Sequence, residues 1–214
     1  YFINIMPYFE DFNLLFIHIP KTGGSNIENF FLQYLKKKPK INNLLSNNLN
    51  ITINNHSLQH MTYQECYNNQ NYFNINFDNI KILTVVRNPY NRIMSDIFYL
   101  KIANKNNTKE EIEQIIIKYL DSEHLYDNHK LQQYKFVINN NNEVNENIII
   151  IKCEALNEQM DKLGFPNFKN FCKKTNTKEN TNYMKYLTNN SLKKINEYYK
   201  LDFYYFNYNI INNI

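Results

Sequence analysis

Two short segments carry residue types suited to holding an anion. Pro20-Lys21-Thr22-Gly23-Gly24-Ser25-Asn26 contains two of the three glycines in the chain. A tight loop between a strand and a helix start points several backbone N–H groups, and the positive end of the helix, at one place. Lys21 brings a mobile charge there, and the hydroxyls of Thr22 and Ser25 bring donors. Arg87-Asn88-Pro89-Tyr90-Asn91-Arg92 contains both arginines. The planar fork of a guanidinium donates two bonds to a phosphate at once. Ser95, a turn or so into the following helix, can face the same anion as Arg87. Arg92 reads either as a further contact or as one half of a surface ion pair.

Two phosphate-binding segments at one mouth imply a nucleotide, and the residue order narrows its kind. A Walker A loop is G-x-x-x-x-G-K-[ST], with the lysine after the last glycine; here Lys21 precedes Gly23 and Gly24. A Walker B strand ends in an acid that helps hold magnesium, whereas the strand before the second segment ends in Arg87. The pair therefore reads as a phosphate site without a metal, which counts against kinases and NTPases.

These segments need a scaffold to bring them together. Residues 14–19 form an apolar run stopped by Pro20, a buried strand, and 80–86 form a second. Ser25 or Asn26 caps a helix through Ile27, Phe30, Phe31 and Tyr34. Asn88 and Pro89 are a favoured N-cap and first-turn pair for a helix bearing Ile93, Ile97 and Leu100. Thr62 with Glu65 is a capping box for a short helix, and Thr108 with Glu111 opens another that runs to Leu120. Residues 135–151 read as a hairpin or strand pair around an Asn-rich turn. A helix near 155–163 ends at Gly164 with Pro166 beyond it. The last helix, 189–201, turns Leu192, Ile195 and Tyr199 to one side, and Lys36 to Asn50 reads as a surface loop. Strands alternating with helices predict one α/β domain over 1–214, three layers with a central, mainly parallel sheet, P-loop-like in build. Ligands of such sheets sit beyond the carboxyl ends of the strands.

Composition sharpens this contrast. The 214 residues include 42 Asn and 27 Ile but only 2 Arg among 24 basic residues, a drift that strongly A+T-rich codons would give. Scarce residues then mark places where common ones do not serve. The net charge of +4 suits an anionic ligand and falls short of a nucleic-acid binder. Three cysteines without CxxC spacing read as reduced, buried thiols. No apolar run approaches the roughly 18 residues of a membrane span. The chain opens on Tyr1 rather than Met, which leaves an upstream signal or anchor open.

Phe16-Ile-His-Ile-Pro-Lys-Thr-Gly-Gly-Ser25 resembles the 5′-phosphosulfate loop of sulfotransferases that use 3′-phosphoadenosine 5′-phosphosulfate (PAPS). Val86-Arg-Asn-Pro-Tyr-Asn-Arg-Ile-Met-Ser95 is similar to their 3′-phosphate motif, including the Arg-to-Ser spacing. The likeness is greatest to the carbohydrate O-sulfotransferase branch, which also has a segment similar to Tyr199-Lys-Leu-Asp-Phe-Tyr-Tyr-Phe206. The resemblance implies that Lys21 contacts the bridging and sulfuryl oxygens. Thr22, Gly23, Gly24 and Ser25 would cradle the 5′-phosphate, and Arg87 and Ser95 would hold the 3′-phosphate. Asn26 stands where relatives carry Thr or Ser, and Tyr90 where many carry Trp. Lys173, Lys174, Thr177 and Lys178 are candidate adenosine contacts.

Sulfuryl transfer needs a base at the acceptor hydroxyl and positive charge at the departing phosphate. A neutral imidazole suits the first task near pH 7. His56 and His60 lie between the motifs, with His60 first by its likeness to a histidine of the carbohydrate branch and His56 second; a carboxylate base is the further alternative. His18 reads as a core residue. By the same likeness, His129 and Gln133 are acceptor-site candidates. The expected activity is metal-free, in-line transfer from PAPS to a hydroxyl, on a carbohydrate or another acceptor. The alternatives are a P-loop kinase or an inactive nucleotide- or glycan-binding module. The resemblance places the protein in the Golgi lumen if an anchor precedes it and in the cytoplasm otherwise. Oligomeric state is not legible.

Overall fold

The structure, a computed structural model, describes residues 8–34, 52–53, 56–171 and 182–214. The Lys36–Asn50 segment, Cys172 and the four candidate adenosine contacts lie outside the described residues.

A sheet of mostly parallel strands forms the middle of the fold. Strand β2 (Leu14–Ile17) pairs in parallel with β5 (Lys81–Val86), Leu15 opposite Ile82 and Ile17 opposite Thr84. On the other side β5 pairs in parallel with β6 (Ile148–Lys152), Leu83 opposite Ile149 and Val86 opposite Lys152. The short β1 (Tyr8–Phe9) runs antiparallel along the outer side of β2. A separate two-stranded ribbon joins β3 (Thr52–Ile53) to β4 (His56–Ser57).

The apolar run of β2 and the nearly continuous one of β5, broken only by buried Thr84, follow from burial on both faces. Side chains alternate along a strand, so Leu15, Ile17, Ile82, Val86 and Ile148 face one way, onto Leu58, Met61, Phe73 and Phe136. Leu14, Phe16, Leu83, Val85 and Ile151 face the other way. They meet Ile27, Phe30 and Phe31 of α1 (Gly24–Tyr34), and Leu156 and Met160 of α6 (Leu156–Lys162). A third cluster lies among the helices. It joins α4 (Pro89–Tyr99), α5 (Lys109–Asp121), α7 (Asn189–Tyr198) and α8 (Lys200–Tyr205) through Ile93, Ile97, Ile112, Ile116, Leu192, Ile195 and Phe203. Each such buried aliphatic or Phe side chain contributes about 1.5–3 kcal/mol. The result is the expected α/β layering of sheet and flanking helices.

Both capping boxes form. Thr62 caps α2 (Tyr63–Asn68), which precedes α3 (Gln70–Phe73), and Thr108 caps α5, each with the glutamate three residues on reaching back to the cap N–H. Asn88 caps α4 by accepting from the Tyr90 and Asn91 N–H groups. Gly164 takes φ +88°, where α6 stops.

Three expectations are corrected. Helix α1 starts at Gly24, so Ser25 and Asn26 lie in its first turn and not at its cap. Residues 135–151 make no hairpin. Gln133–Phe136 is a 3-10 turn, Ile138 meets Val144 in one isolated bridge, and Ile148 onward pairs with β5 instead. A parallel place beside β5 buries Ile148 and Ile151, one on each face of the sheet. The last helix breaks at Tyr199 into α7 and α8.

Candidate active site

The parallel register sets the carboxyl ends of β2 and β5 side by side, so the two sequence segments meet. Arg87 Nη1 donates to the Lys21 carbonyl at 3.0 Å. The Arg87 backbone is itself clamped: Gln133 Oε1 accepts from its N–H at 2.8 Å and Gln133 Nε2 donates to its carbonyl at 2.8 Å. Asp202 of α8 fixes that clamp from below by accepting from the Gln133 and Tyr134 N–H groups, both at 2.9 Å. Burial raises the Asp202 carboxyl to about 6 even so. Gln133 is fully buried, which corrects its assignment: it positions Arg87 and has no surface to offer an acceptor.

Lys21 holds φ +65° and places Nζ 3.7 Å from the centre of the Tyr99 ring. Burial lowers its pKa; Asp96 opposes that shift, and neighbouring Arg87 adds to it. Among the described residues neither Lys21 nor Arg87 is in an ion pair. Two adjacent cations with no carboxylate at ion-pair distance among the described residues have the charge to attract an anion. Arg92 is a different matter. It is neither a surface ion pair nor a ligand contact: it is buried, and donates from Nε to the Pro20 carbonyl at 3.0 Å, from Nη1 to Leu131 at 2.9 Å and from Nη2 to His129 at 2.7 Å.

The loop between them suits a phosphate through its backbone. Gly23 holds φ +96°, a conformation that favours glycine. Gly24 is required for another reason. A Cβ there would lie 2.4 Å from two atoms of the His18 ring. The N–H groups of Thr22, Gly23, Gly24 and Ser25 donate to no described group, and they sit at the positive end of α1. The Thr22 hydroxyl is spent on the Ile19 carbonyl at 2.8 Å and is buried, so Thr22 offers its N–H and not its side chain. Ser25 is exposed, Asn26 is half-buried with its N–H donating to Gly23, and Ser95 is half-buried on α4.

Beyond the loop stand three buried histidines in line. The His18 and His60 rings meet edge to face with centroids 5.4 Å apart, and His60 and His129 do so at 5.1 Å. Each presents Nδ1 to its own carboxylate: His18 to Glu28 at 2.7 Å, His60 to Asp127 at 2.8 Å and His129 to Asp96 at 2.6 Å. A carboxylate only accepts, so Nδ1 carries the proton, and in the neutral ring Nε2 keeps the lone pair. His129 also stacks on Tyr99, rings within 5° of parallel, which connects this row to Lys21.

His60 is the best placed of the three. Burial depresses its pKa, the neighbouring His18 and His129 depress it further, and Asp127 offsets only part of this. It is therefore neutral at pH 7. Burial would raise Asp127, yet bonds from His60 and from the Ser57 N–H and hydroxyl hold that carboxyl at about 2. His56 is removed as a base. Its Nδ1 donates to the Ser57 carbonyl at 3.0 Å and its Nε2 faces Glu65 at 2.9 Å. Burial opposes the charged ring, but these two partners outweigh burial and raise its pKa. No lone pair is left to accept a proton.

Asp127, Asp96, Tyr99 and Glu28 are not legible in the sequence, because each acts on a residue 10 to 78 positions away. The one local sign lies in the backbone. Tyr126, Asp127 and Asn128 hold φ of +53°, +58° and +62° in succession. Such non-glycine conformations cost energy and gather at functional sites. The turn delivers Asp127 to the His60 ring and Asn128 Nδ2 to the His60 carbonyl at 3.0 Å. Ligand atoms of His60, Asp127 and His129 all lie within 4.8 Å of one another.

A family model described as the sulfotransferase family matches residues 7–209. Comparison with curated proteins and with solved structures returned no match. No helix among the described residues is long and apolar enough to cross a membrane.

Proposed function

Because the chain belongs to the sulfotransferase family, we propose that it moves the sulfuryl group of PAPS to a hydroxyl of a carbohydrate acceptor by in-line displacement. The observation that carries this reading is a cationic pair, Lys21 and Arg87, with no ion-pair partner among the described residues, linked through the Tyr99 and His129 rings to a carboxylate-oriented His60.

PAPS supplies the sulfuryl group and a leaving bisphosphate nucleotide. The loop N–H groups from Thr22 to Ser25 bind the 5′-phosphate, with Asn26 at the rim, and Arg87 with Ser95 binds the 3′-phosphate. Lys21 leaves the Tyr99 ring to meet the charge that grows on the departing phosphate. His60 accepts the acceptor proton at Nε2 while Asp127 holds Nδ1–H and stabilises the imidazolium, the same division of labour as in other Asp–His pairs. His129, stacked on Tyr99, lines the acceptor side.

Thermal unfolding with added nucleotide tests the binding half. At 100 times its Kd, 3′-phosphoadenosine 5′-phosphate should raise Tm by about 5–10 °C, and ATP with magnesium should not. Arg87→Ala should abolish the shift. Protection by ATP with magnesium alone would reinstate a kinase. A screen of carbohydrate, phenol and alcohol acceptors with labelled PAPS tests the transfer half; nucleotide binding without turnover on any of them would leave an inactive binding module.

A further inference from the structure

We propose that His60, Asp127 and His129 bind one divalent transition-metal ion of the zinc class, and that the bound ion stops sulfuryl transfer. The binding stands on geometry alone; the inhibition rests on the reading of His60 as the base.

The ligand set is two imidazoles and one carboxylate, with one ligand atom of each within 4.8 Å of the others. Borderline ions such as Zn²⁺ and Co²⁺ take this mixture, whereas Mg²⁺ prefers oxygen alone. Bonds of about 2.1 Å at a tetrahedral angle set ligand atoms roughly 3.4 Å apart. The widest pair must then close by no more than about 1.5 Å. Asp127 can supply that movement by exchanging its bonds from Ser57 for the ion, because its side chain is 42% exposed. The same exposure gives an ion a path in and leaves a side open for water.

The surroundings are those of a metal site one step further out. Metal-binding histidines usually give their other ring N–H to a carboxylate. His129 does so to buried Asp96 at 2.6 Å, and the Tyr119 hydroxyl donates to the other Asp96 oxygen. That arrangement aims His129 Nε2 as the ligating atom. Among the described residues no lysine or arginine pairs with Asp127 or Asp96, so no cation has to be displaced. For His60 the consequence does not depend on which nitrogen binds. One nitrogen holds the ion, the other holds the ring proton, and no lone pair remains for an acceptor hydroxyl.

The test is titration of the whole chain with Co²⁺, followed by visible absorption and calorimetry, with Zn²⁺ as competitor. One equivalent should bind and give the ligand-field bands of low-coordinate cobalt, without the near-ultraviolet charge transfer that a thiolate would add. Zn²⁺ should displace it. Asp127→Asn and His129→Asn should each weaken binding by at least about tenfold, and Asp96→Asn by about 10- to 100-fold. Asp127→Asn keeps a side chain that tolerates a left-handed backbone, so it reports even if a buried variant misfolds. Absence of saturable binding, thiolate bands, or bands unchanged in both ligand variants would overturn the site. Zn²⁺ inhibition should track the cobalt affinity. Binding without inhibition overturns the second half of the proposal. A metal-free chain that binds cobalt but transfers nothing counts against the transfer reaction and for the site.

Discussion

Gly24 and His18 show how a single contact redistributes the meaning of two residues. In the sequence, Gly24 belongs to the anion and His18 to the core; in the fold, the ring of one fills the space a methyl group on the other would need. Gly24→Ala therefore has a sign that propensity alone gets wrong. In a helix the change is ordinarily worth about 0.5–1 kcal/mol of added stability. Here overpacking against a ring held by Glu28 should cost about 1–3 kcal/mol. The urea midpoint checks this, and in a His18→Ala background the sign should reverse. His60 makes a second prediction at this scale. Its pKa lies below the ordinary 6.5 and that of Lys21 below the ordinary 10.5. His60 must be neutral and Lys21 charged, so kcat/KM should fall as pH drops through a value under 6.5. It should fall again as pH rises toward a value under 10.5. His60→Ala should cut kcat by about 10²- to 10⁴-fold while nucleotide protection persists; an unchanged acid limb in that variant would reassign the base.

The turn at 126–128 is the element on which His60 depends, and its strain is measurable. Asn128→Ala puts an alanine at φ +62° and removes the Nδ2 bond to the His60 carbonyl. Left-handed backbone costs such a residue about 1–2 kcal/mol, and the stranded carbonyl about 1–3 kcal/mol more. A loss of about 2–5 kcal/mol in chemical denaturation is expected, and Asn128→Gly should lose less because it sheds the backbone part. This turn also marks where the sequence stops being informative. The capping boxes at Thr62 and Thr108 are legible because both partners sit within three residues. So are β2, β5 and the Asn88-Pro89 start of α4, whose patterns are local. The bond from His60 to Asp127 spans 67 positions, and nothing near either residue announces the other. For the strand at 148–152 the sequence shows the strand but not its partner, for the same reason: an Asn-rich turn is local, whereas pairing with β5 is not.

Across the whole molecule, the two arginines divide one task into two. Their closeness in the sequence points to one site, but only Arg87 faces it. Arg92 lies behind it, where its fork reaches carbonyls at 20, 129 and 131. Lysine, the common basic residue of this chain, cannot span three acceptors in that plane. Arg92→Lys keeps the charge yet leaves buried acceptors unmet, and should destabilise the fold by about 3 kcal/mol or more. The clasp joins the loop that begins at Pro20 to the segment that follows the turn at 126–128. Stability within a protein comes in cooperative units that open together, and a shared buried guanidinium makes the two sides one unit. Their amide protons should therefore exchange with solvent at a common rate, slow together when nucleotide binds the loop alone, and separate into two independent rates once Arg92 is replaced.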